Sequence, residues 1–333
     1  MPYDPVRYAV LGAGRIGQVH ARAIAATEGA RLVAVHDPDA MAARAVVDRH
    51  GGTIRDMAAI EAADDVDAVM ICTPTDTHAA LIERFARAGK AVFCEKPVDL
   101  DAARVRACLD VVRETGAVLM VGFQRRHDPD FRALKAAIDE GRIGAVEMIH
   151  LTARDPAPPP IAYIERSGGL FRDMMIHDLD VARWLLPDEP VRVTAQAATL
   201  VDPAIGEAGD YDSAIVTLQT ASGAMCSIHN SRRATYGYDQ RIEVHGSAGA
   251  VSAANPHAAR ITLAGEGGYT DPPLLDSFMT RYADAYAAEI AHFTACLRDG
   301  TTPATTGEDG LRALVLADAA LESVRTGRTV DVA

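Results

Sequence analysis

The stretch Arg7–Gly17 reads RYAVLGAGRIG, a mostly apolar run followed by three glycines in the spacing G-x-G-x-x-G. Its apolar half predicts a strand, and Ile16–Ala26 predicts the helix after it. Gly12 permits the tight turn, Gly14 lets the backbone approach a pyrophosphate, and Gly17 lets the helix pack on the strand. The helix N-terminus would offer unpaired N–H groups to the phosphates. The predicted dinucleotide-binding residues of this loop are Gly12, Gly14, Arg15, Ile16 and Gly17.

An acidic residue stands where such a loop needs one. Asp37 follows the second predicted strand, Leu32–His36, 20 residues after Gly17. A carboxylate there accepts hydrogen bonds from the adenosine ribose hydroxyls and repels a 2′-phosphate, so it favours NAD over NADP. Two structural alternatives stay open. The glycines can form a βα turn without a cofactor, and Asp37 can cap the helix that begins at Pro38.

The first third of the chain repeats this strand–helix alternation. Further strands are predicted over Ala68–Cys72, Ala91–Cys94 and Val118–Gly122. Helices are predicted over Pro38–His50, Thr77–Ala88 and Leu100–Glu114. Strands separated by helices of about 10–15 residues indicate βαβ units and a parallel sheet. We therefore expect an α/β dinucleotide-binding domain over residues 1–123.

The rest of the chain has a different rhythm. Strands are predicted over Gly144–Arg154, Val191–Leu200, Ser213–Thr220, Gly223–Ser231, Gln240–His245, Ala250–Ala253 and Arg260–Leu263. Helices are predicted over Asp130–Glu140, Gly169–Leu186, Leu275–Arg298 and Gly307–Thr326. Strands that follow one another without helices indicate a mostly antiparallel sheet. Residues 124–333 are therefore expected to form an α+β domain.

Charge, hydropathy and cysteine content argue against several classes of protein. With 33 basic and 46 acidic residues the net charge is 33 − 46 = −13, which argues against a nucleic-acid binder. No run approaches the roughly 20 apolar residues that span a bilayer. The first residues lack the basic-then-apolar order of a signal peptide. The five cysteines form no CxxC pair, as expected for free thiols in a reducing cytoplasm.

Lysine is rare, which draws attention to Lys96. Of the 33 basic residues only three are lysines. Glu95-Lys96-Pro97 follows the predicted strand Ala91–Cys94, and ligands of parallel sheets bind beyond the carboxyl ends of the strands. Lys96 could therefore place its ammonium near a substrate oxygen. The alternative is a solvated loop lysine.

A carboxylate and an imidazole are spaced for proton transfer. Asp173 and His177 are four residues apart, so they share one face of the predicted helix. The carboxylate would fix the tautomer of the imidazole and raise its basicity. One alternative is a surface ion pair. Another takes His177, Asp178 and Asp180 as metal ligands, but adjacent helix residues point about 100° apart and chelate poorly. We predict no metal.

Several motifs occur together and in order along the chain. They are the glycine loop at 12–17, Asp37, Cys72-Thr73-Pro74 with His78, Glu95-Lys96-Pro97, and GG-x3-D-x3-H at 168–177. In this combination the chain resembles the glucose–fructose oxidoreductase/inositol dehydrogenase family. Further stretches are similar to its bacterial inositol dehydrogenases: Gly122–Arg126, Tyr236–Asp239, Arg281-Tyr282 and Ala285-Tyr286. The resemblance spans the whole chain.

The resemblance implies roles for named residues. Cofactor contacts would also come from Thr73, Pro74, His78, Glu95 and Lys96. The catalytic set would be Lys96, Asp173 and His177, which also contact substrate. Further substrate contacts would come from Arg126, Asp155 and Tyr236. The run Pro158–Pro160 departs from the expected pattern, which leaves the ring substitution of the substrate open.

The resemblance also implies a Rossmann domain, an open second sheet that is commonly buried in a homotetramer or homodimer, and NAD-dependent oxidation of a cyclic polyol. Myo-inositol oxidised to 2-keto-myo-inositol is the first expectation. Scyllo-inositol or a pyranose sugar is the alternative. A catalytically idle NAD-binding sensor is a third reading, and the intact Lys96, Asp173 and His177 argue against it.

Overall fold

The computed structural model describes residues 4–332, which divide into two units. The strands of the first unit are β1 (Val6–Leu11), β2 (Ala30–His36), β3 (Thr53–Ile54), β4 (Ala68–Ile71), β5 (Ala91–Glu95) and β6 (Leu119–Gly122). Its helices include α1 (Arg15–Ala26), α2 (Ala40–His50), α3 (Met57–Ala62), α4 (His78–Arg87) and α5 (Ala102–Thr115). All neighbouring strands are parallel, in the order β3-β2-β1-β4-β5-β6. This is the strand order of the doubly wound dinucleotide-binding fold.

Short apolar strands and side-chain caps explain these elements. Every residue of β4 is buried, as expected for a strand covered by helices on both faces. Asp39 caps α2 by accepting hydrogen bonds from two backbone N–H groups, and Asp101 caps α5 in the same way with one. Gly116 ends α5 in a left-handed conformation with φ of 67°.

The division of the chain differs from the single boundary predicted after residue 123. The first unit extends to Asp128 and also includes Asp284–Leu314. Ile290 and Phe293 of this later segment lie in the same buried core cluster as Phe93. The segment belongs to the first unit because its apolar side chains are buried in the core of that unit. The sequence pattern did not indicate that the chain returns to the first unit after residue 283.

The second unit comprises Pro129–Ala283 and the described residues from Val315 onward. Its strands are β7 (Val146–Arg154), β8 (Pro190–Ala198), β9 (Ser213–Thr220), β10 (Met225–Ser231), β11 (Asp239–Gly246), β12 (Gly249–Ala253), the β13 (Leu263–Gly265) and β14 (Gly268–Thr270) hairpin, and β15 (Val330–Asp331). The remaining helices are α6 (Pro129–Asp139), α7 (Ile161–Ser167), α8 (Ile176–Leu185), α9 (Pro203–Glu207), α10 (Phe278–Arg281), α11 (Ala283–Asp299) and α12 (Gly307–Thr326). The segment Asp284–Leu314, which belongs to the first unit, takes in nearly all of α11 and the first part of α12.

Seven strands form one sheet in the order β12-β11-β7-β10-β9-β8-β15. Only β7 and β10 are parallel neighbours within it, so the sheet is mixed and mostly antiparallel. Along β9 buried residues alternate with more exposed ones, which marks one packed face. The predicted fold class is confirmed. No helix within residues 4–332 has the length and apolarity to span a membrane.

Three predicted elements differ in detail. The predicted helix Gly169–Leu186 begins as a wide π-type turn, Leu170–Met174, in which the N–H of Met175 donates to the carbonyl of Leu170 at 2.9 Å, and continues as α8. The predicted helix Leu275–Arg298 is split into α10 and α11. The strand predicted at Arg260–Leu263 starts three residues later, as β13. The sequence analysis missed α7, which follows the proline run.

Candidate active site

The glycine loop connects β1 to α1, and each of its three glycines meets different surroundings. Gly12 has φ of +93°, and a Cβ there would lie 2.6 Å from the carbonyl oxygen of Cys72. A Cβ on Gly17 would lie 1.9 Å from the carbonyl oxygen of Gly12. Gly14 precedes α1 without a side-chain cap, and a Cβ on it would meet no atom within 4 Å. The loop is therefore closely packed underneath and open above Gly14, which fits a pyrophosphate at the helix N-terminus.

Asp37 lies directly against this loop. One of its carboxylate oxygens accepts a hydrogen bond from the N–H of Ala13 at 2.6 Å, and the other accepts one from the N–H of Asp39 at 2.7 Å. The cap of α2 is Asp39, so the alternative in which Asp37 caps this helix is wrong. The position of Asp37 suits a ribose contact, which stays a prediction.

His78 links two loops at the carboxyl ends of the strands. It is buried, and its two ring nitrogens face the carbonyl oxygens of Thr73 and Pro97, each at 2.8 Å. The first loop contains the predicted cofactor residues Thr73 and Pro74. The second contains Lys96, which is partly buried and precedes a cis peptide bond. His78 thus holds together two segments that the sequence assigned to one site.

Glu95 ends β5 in a small buried cluster that the sequence analysis missed. Its carboxylate lies 2.6 Å from Nε2 of His20, whose ring is fully buried. Glu289 of α11 is also fully buried, and burial, followed by the negative charge of Glu95, raises the pKa of Glu289 well above its ordinary value. A glutamate within the apolar stretch AYAAEIAHF was the available signal.

Asp173 and His177 lie on consecutive segments, the wide turn and α8, and not on one regular helix. The hydroxyl of Tyr163 donates to Oδ1 of Asp173 at 2.9 Å. His177 is partly buried, with its Nδ1 enclosed. The sequence analysis missed two more charged residues of this site. Arg232 lies near Asp173 and near Asp210.

The alternative metal site would use Asp178 and Asp180 together with His177. Asp178 is buried and accepts a hydrogen bond from Nδ2 of Asn230 at 3.0 Å, and Asp180 is buried as well. Among residues 4–332, no group of three or more His, Cys, Asp or Glu side chains is arranged to hold a metal ion.

The three predicted substrate contacts are engaged in different ways. Arg126, in the first unit, forms an ion pair with Asp309 at 2.9 Å. Tyr236, in the second unit, is 49% exposed, and its hydroxyl donates to Asp239 at 2.7 Å. Asp155 is partly buried and directly follows Arg154. The guanidinium of Arg154 donates to the Tyr236 hydroxyl at 2.7 Å. The roles of these residues stay predictions.

Asp239 organises the polar network around Tyr236. Burial alone would raise the pKa of Asp239, but hydrogen bonds from Arg241, Tyr236 and Asn255 hold it below its ordinary value. The carboxylate is thus charged and fixes the direction in which the Tyr236 hydroxyl points.

Comparison with known proteins places both units. A family model described as the oxidoreductase family with an NAD-binding Rossmann fold matches residues 6–123. A model described as the GFO/IDH/MocA C-terminal domain matches residues 131–252. The inositol 2-dehydrogenase of Rhizobium meliloti (strain 1021) is 63% identical to the chain, over 98% of this chain and 99% of the relative.

Solved structures agree over the same extent. A myo-inositol dehydrogenase from Corynebacterium glutamicum ATCC 13032 is 42% identical, with a TM-score of 0.95 and coverage of 99% of each chain. A scyllo-inositol dehydrogenase from Lactobacillus casei, crystallised with NAD(H) and scyllo-inositol, is 29% identical, with a TM-score of 0.91 and coverage of 98% of this chain and 99% of that one.

These similarities extend from the glycine loop to the second sheet, and the geometry of that loop fits NAD. They confirm the family and the cofactor inferred from the motifs. The chain belongs to the GFO/IDH/MocA family of NAD-binding oxidoreductases.

Proposed function

We propose that the protein is an NAD-dependent inositol 2-dehydrogenase that oxidises myo-inositol to 2-keto-myo-inositol. The observation that carries this proposal is the 63% identity, over nearly the whole of both chains, to a protein named inositol 2-dehydrogenase. Such similarity extends through the segments that hold Lys96, Asp173 and His177. The open space above Gly14 and the carboxylate of Asp37 support NAD as the cofactor.

Each proposed catalytic residue has a separate task. His177 accepts the proton of the substrate hydroxyl, and Asp173 orients the imidazole and stabilises its protonated form. Lys96 donates a hydrogen bond to the reacting oxygen and favours developing negative charge there. NAD, when bound, supplies the acceptor for the hydride that leaves the same carbon. The alcohol becomes a ketone and one proton is released. Because the proton acceptor must be neutral, oxidation should be faster on the alkaline side.

Substrate contacts are proposed for Arg126, Asp155 and Tyr236. The hydrogen bonds of Tyr236 to Arg154 and Asp239 fix its hydroxyl, which supports a role in selecting the orientation of a ring hydroxyl. The second candidate substrate is scyllo-inositol, which is favoured by the likeness to the Lactobacillus casei enzyme. A pyranose sugar is a further alternative, and the idle sensor is the least supported.

The proposal includes assembly of identical chains, as a homotetramer or homodimer, in the cytoplasm. Strand register places Met148 beside Met225, and alternation puts Ile215 on the same face of the sheet. All three are exposed, and exposed apolar side chains on one face of a sheet suit an interface. The five cysteines are free and buried, which suits a reducing compartment.

A substrate and cofactor panel tests the proposal. Purified protein is mixed with NAD or NADP and with myo-inositol, scyllo-inositol or glucose, and the absorbance of the reduced cofactor is followed. Rapid turnover of myo-inositol with NAD alone is the expected result. Turnover of glucose only would show that the substrate is a sugar and not an inositol. Turnover with NADP would contradict the role of Asp37. NAD binding without turnover of any member would support the sensor reading.

A further inference from the structure

Arg232, which follows β10, is the largest fully buried side chain among the described residues and is 1% exposed. Its Nη2 lies 3.9 Å from Oδ2 of Asp173 and 3.7 Å from Oδ2 of Asp210. Neither Nη2 nor Nε makes a hydrogen bond within the described part of the chain. A buried guanidinium is costly unless its charge is balanced, and here two carboxylates balance it from beyond hydrogen-bond distance.

Backbone geometry brings these groups together. A Cβ on Gly169, which has φ of +77°, would lie 2.4 Å from Asp210, so only glycine lets this carboxylate approach the backbone. Asp210 then accepts hydrogen bonds at 3.0 and 3.1 Å from the N–H of Leu170, the first residue of the turn that carries Asp173. Asp210 therefore fixes the start of the turn, while Arg232 lies between it and Asp173.

Other ionisable groups of this region have partners of their own. The carboxylate of Asp212 accepts hydrogen bonds from the N–H groups of residues 200–202. Arg172 forms an ion pair with Asp318 at 2.7 Å. Tyr163 reaches the other oxygen of Asp173. Asp178, which follows His177 in the chain, accepts a hydrogen bond from Asn230.

We propose that Arg232 is a positioning residue, whose charge, shared between Asp173 and Asp210, fixes the Asp173 carboxylate and limits how strongly this carboxylate favours protonated His177. The inference rests on the proposed function, since it assigns Asp173 and His177 to proton transfer. The electrostatic effects of the two charges on the imidazole add. Asp173 attracts a proton to the imidazole, and a nearby positive charge offsets part of this attraction. Offsetting this attraction favours the neutral imidazole, which is the form that can accept a proton.

Two substitutions should shift the pH dependence in opposite directions. In Arg232→Met the attraction of Asp173 is no longer offset, so the acid-side midpoint of log kcat/KM should move to higher pH by on the order of one unit. In Asp210→Asn the charge of Arg232 acts on Asp173 alone, so the midpoint should move to lower pH. The carboxamide oxygen introduced by this substitution can still accept a hydrogen bond from the N–H of Leu170. Arg232→Lys keeps the charge and should restore a midpoint close to that of the wild type.

A second readout separates this inference from the substrate assignment. The titration of the His177 ring is followed by NMR without substrate, with its signal assigned by its loss in His177→Ala. The His177 midpoint should rise in Arg232→Met and fall in Asp210→Asn. Unchanged midpoints, or shifts of the same sign in both variants, would overturn the proposal. If the midpoints shift as expected but no inositol is oxidised, the proposed function fails while the role of Arg232 stands.

Discussion

Glu289 in the first unit and Asp212 in the second are both 0% exposed, yet their pKa values are shifted in opposite directions. Neither oxygen of Glu289 has a hydrogen-bond partner within residues 4–332, and its pKa is raised, first by burial and then by the charge of Glu95. Burial also acts to raise the pKa of Asp212, but the N–H groups of Leu200, Val201 and Asp202 lower it below its ordinary value. Hydrogen-bond donors thus keep the carboxylate of Asp212 charged, whereas Glu289 lacks such donors and its neutral form is favoured.

The same contrast distinguishes the two units more widely. Around the glycine loop the chain offers backbone N–H groups, open space and the carboxylate of Asp37. Around Asp173 it offers a buried cation, a second carboxylate and a tyrosine hydroxyl. We expect the first unit to determine cofactor affinity and the second to determine proton transfer.

The largest expected effect tests this division of tasks. His177→Ala removes the proposed proton acceptor, so kcat should fall by about 10²–10⁴-fold while the Kd for NAD stays unchanged. Steady-state kinetics and calorimetric NAD titration measure the two quantities. His245→Ala, at a half-exposed histidine on β11, is the matched control and should leave both unchanged. Full turnover in His177→Ala would remove this residue from the mechanism.

Asp212→Asn should give the largest loss of stability. Oδ2 of Asp212 accepts from Val201 and Asp202, and an amide NH₂ in its place cannot accept. Two unsatisfied N–H groups of partly buried residues should lower the free energy of unfolding by on the order of 1–3 kcal/mol.

The pH dependence of this loss has a defined sign. Because the folded pKa of Asp212 is lowered, its contribution is present above the ordinary value of 3.8 and disappears as the pH falls through the folded pKa. Urea unfolding at several pH values should therefore show the difference from wild type shrinking below about pH 4. Asp188→Asn, where an exposed carboxylate accepts from Ser222, should cost far less. Equal losses in both variants would contradict the importance of burial.

Gly17→Ala and Gly14→Ala should separate packing from cofactor space. The first places a methyl group 1.9 Å from the carbonyl oxygen of Gly12, so the unfolding free energy should fall by about 1–3 kcal/mol and NAD binding should weaken. The second meets no protein atom and should leave stability nearly unchanged, but its methyl group enters the space assigned to the pyrophosphate and should weaken NAD binding. Thermal unfolding and NAD titration distinguish the two. Wild-type affinity in Gly14→Ala would place the phosphates elsewhere.

Glu289→Gln should have the smallest effect and the opposite sign to Asp212→Asn. A raised folded pKa means that the native state binds more protons than the unfolded state, so this carboxyl reduces stability as the pH rises above its ordinary value of 4.5. The neutral amide avoids that loss. The variant should match wild type near pH 4.5 and be more stable at pH 8 by on the order of 1 kcal/mol. Glu28→Gln, at an exposed position, is the control. A stability difference from wild type that is the same at pH 4.5 and pH 8 would show that the pKa of Glu289 is not raised in the folded protein.

Much of the first unit was predictable because its signals are local. The glycine spacing, the apolar strands and the acidic residue after β2 are each specified within a few residues, and the parallel direction of the strands follows from repeated βαβ units. The positions of Asp173 and His177 in the sequence were equally clear. The wide turn under Asp173 was not predictable, because the apolar pattern of Gly169–Leu186 is the same for a helix that starts regularly.

The sequence by itself determined the family, the cofactor loop and the identity of the proposed catalytic side chains, since these depend on short motifs in a fixed order. Only the tertiary structure decided which side chains surround them. Asp173 meets Arg232, 59 residues later, and Glu289 comes to lie near Glu95, almost two hundred residues earlier. Electrostatic contacts across such separations depend on how strands and helices pack, and no local pattern encodes them.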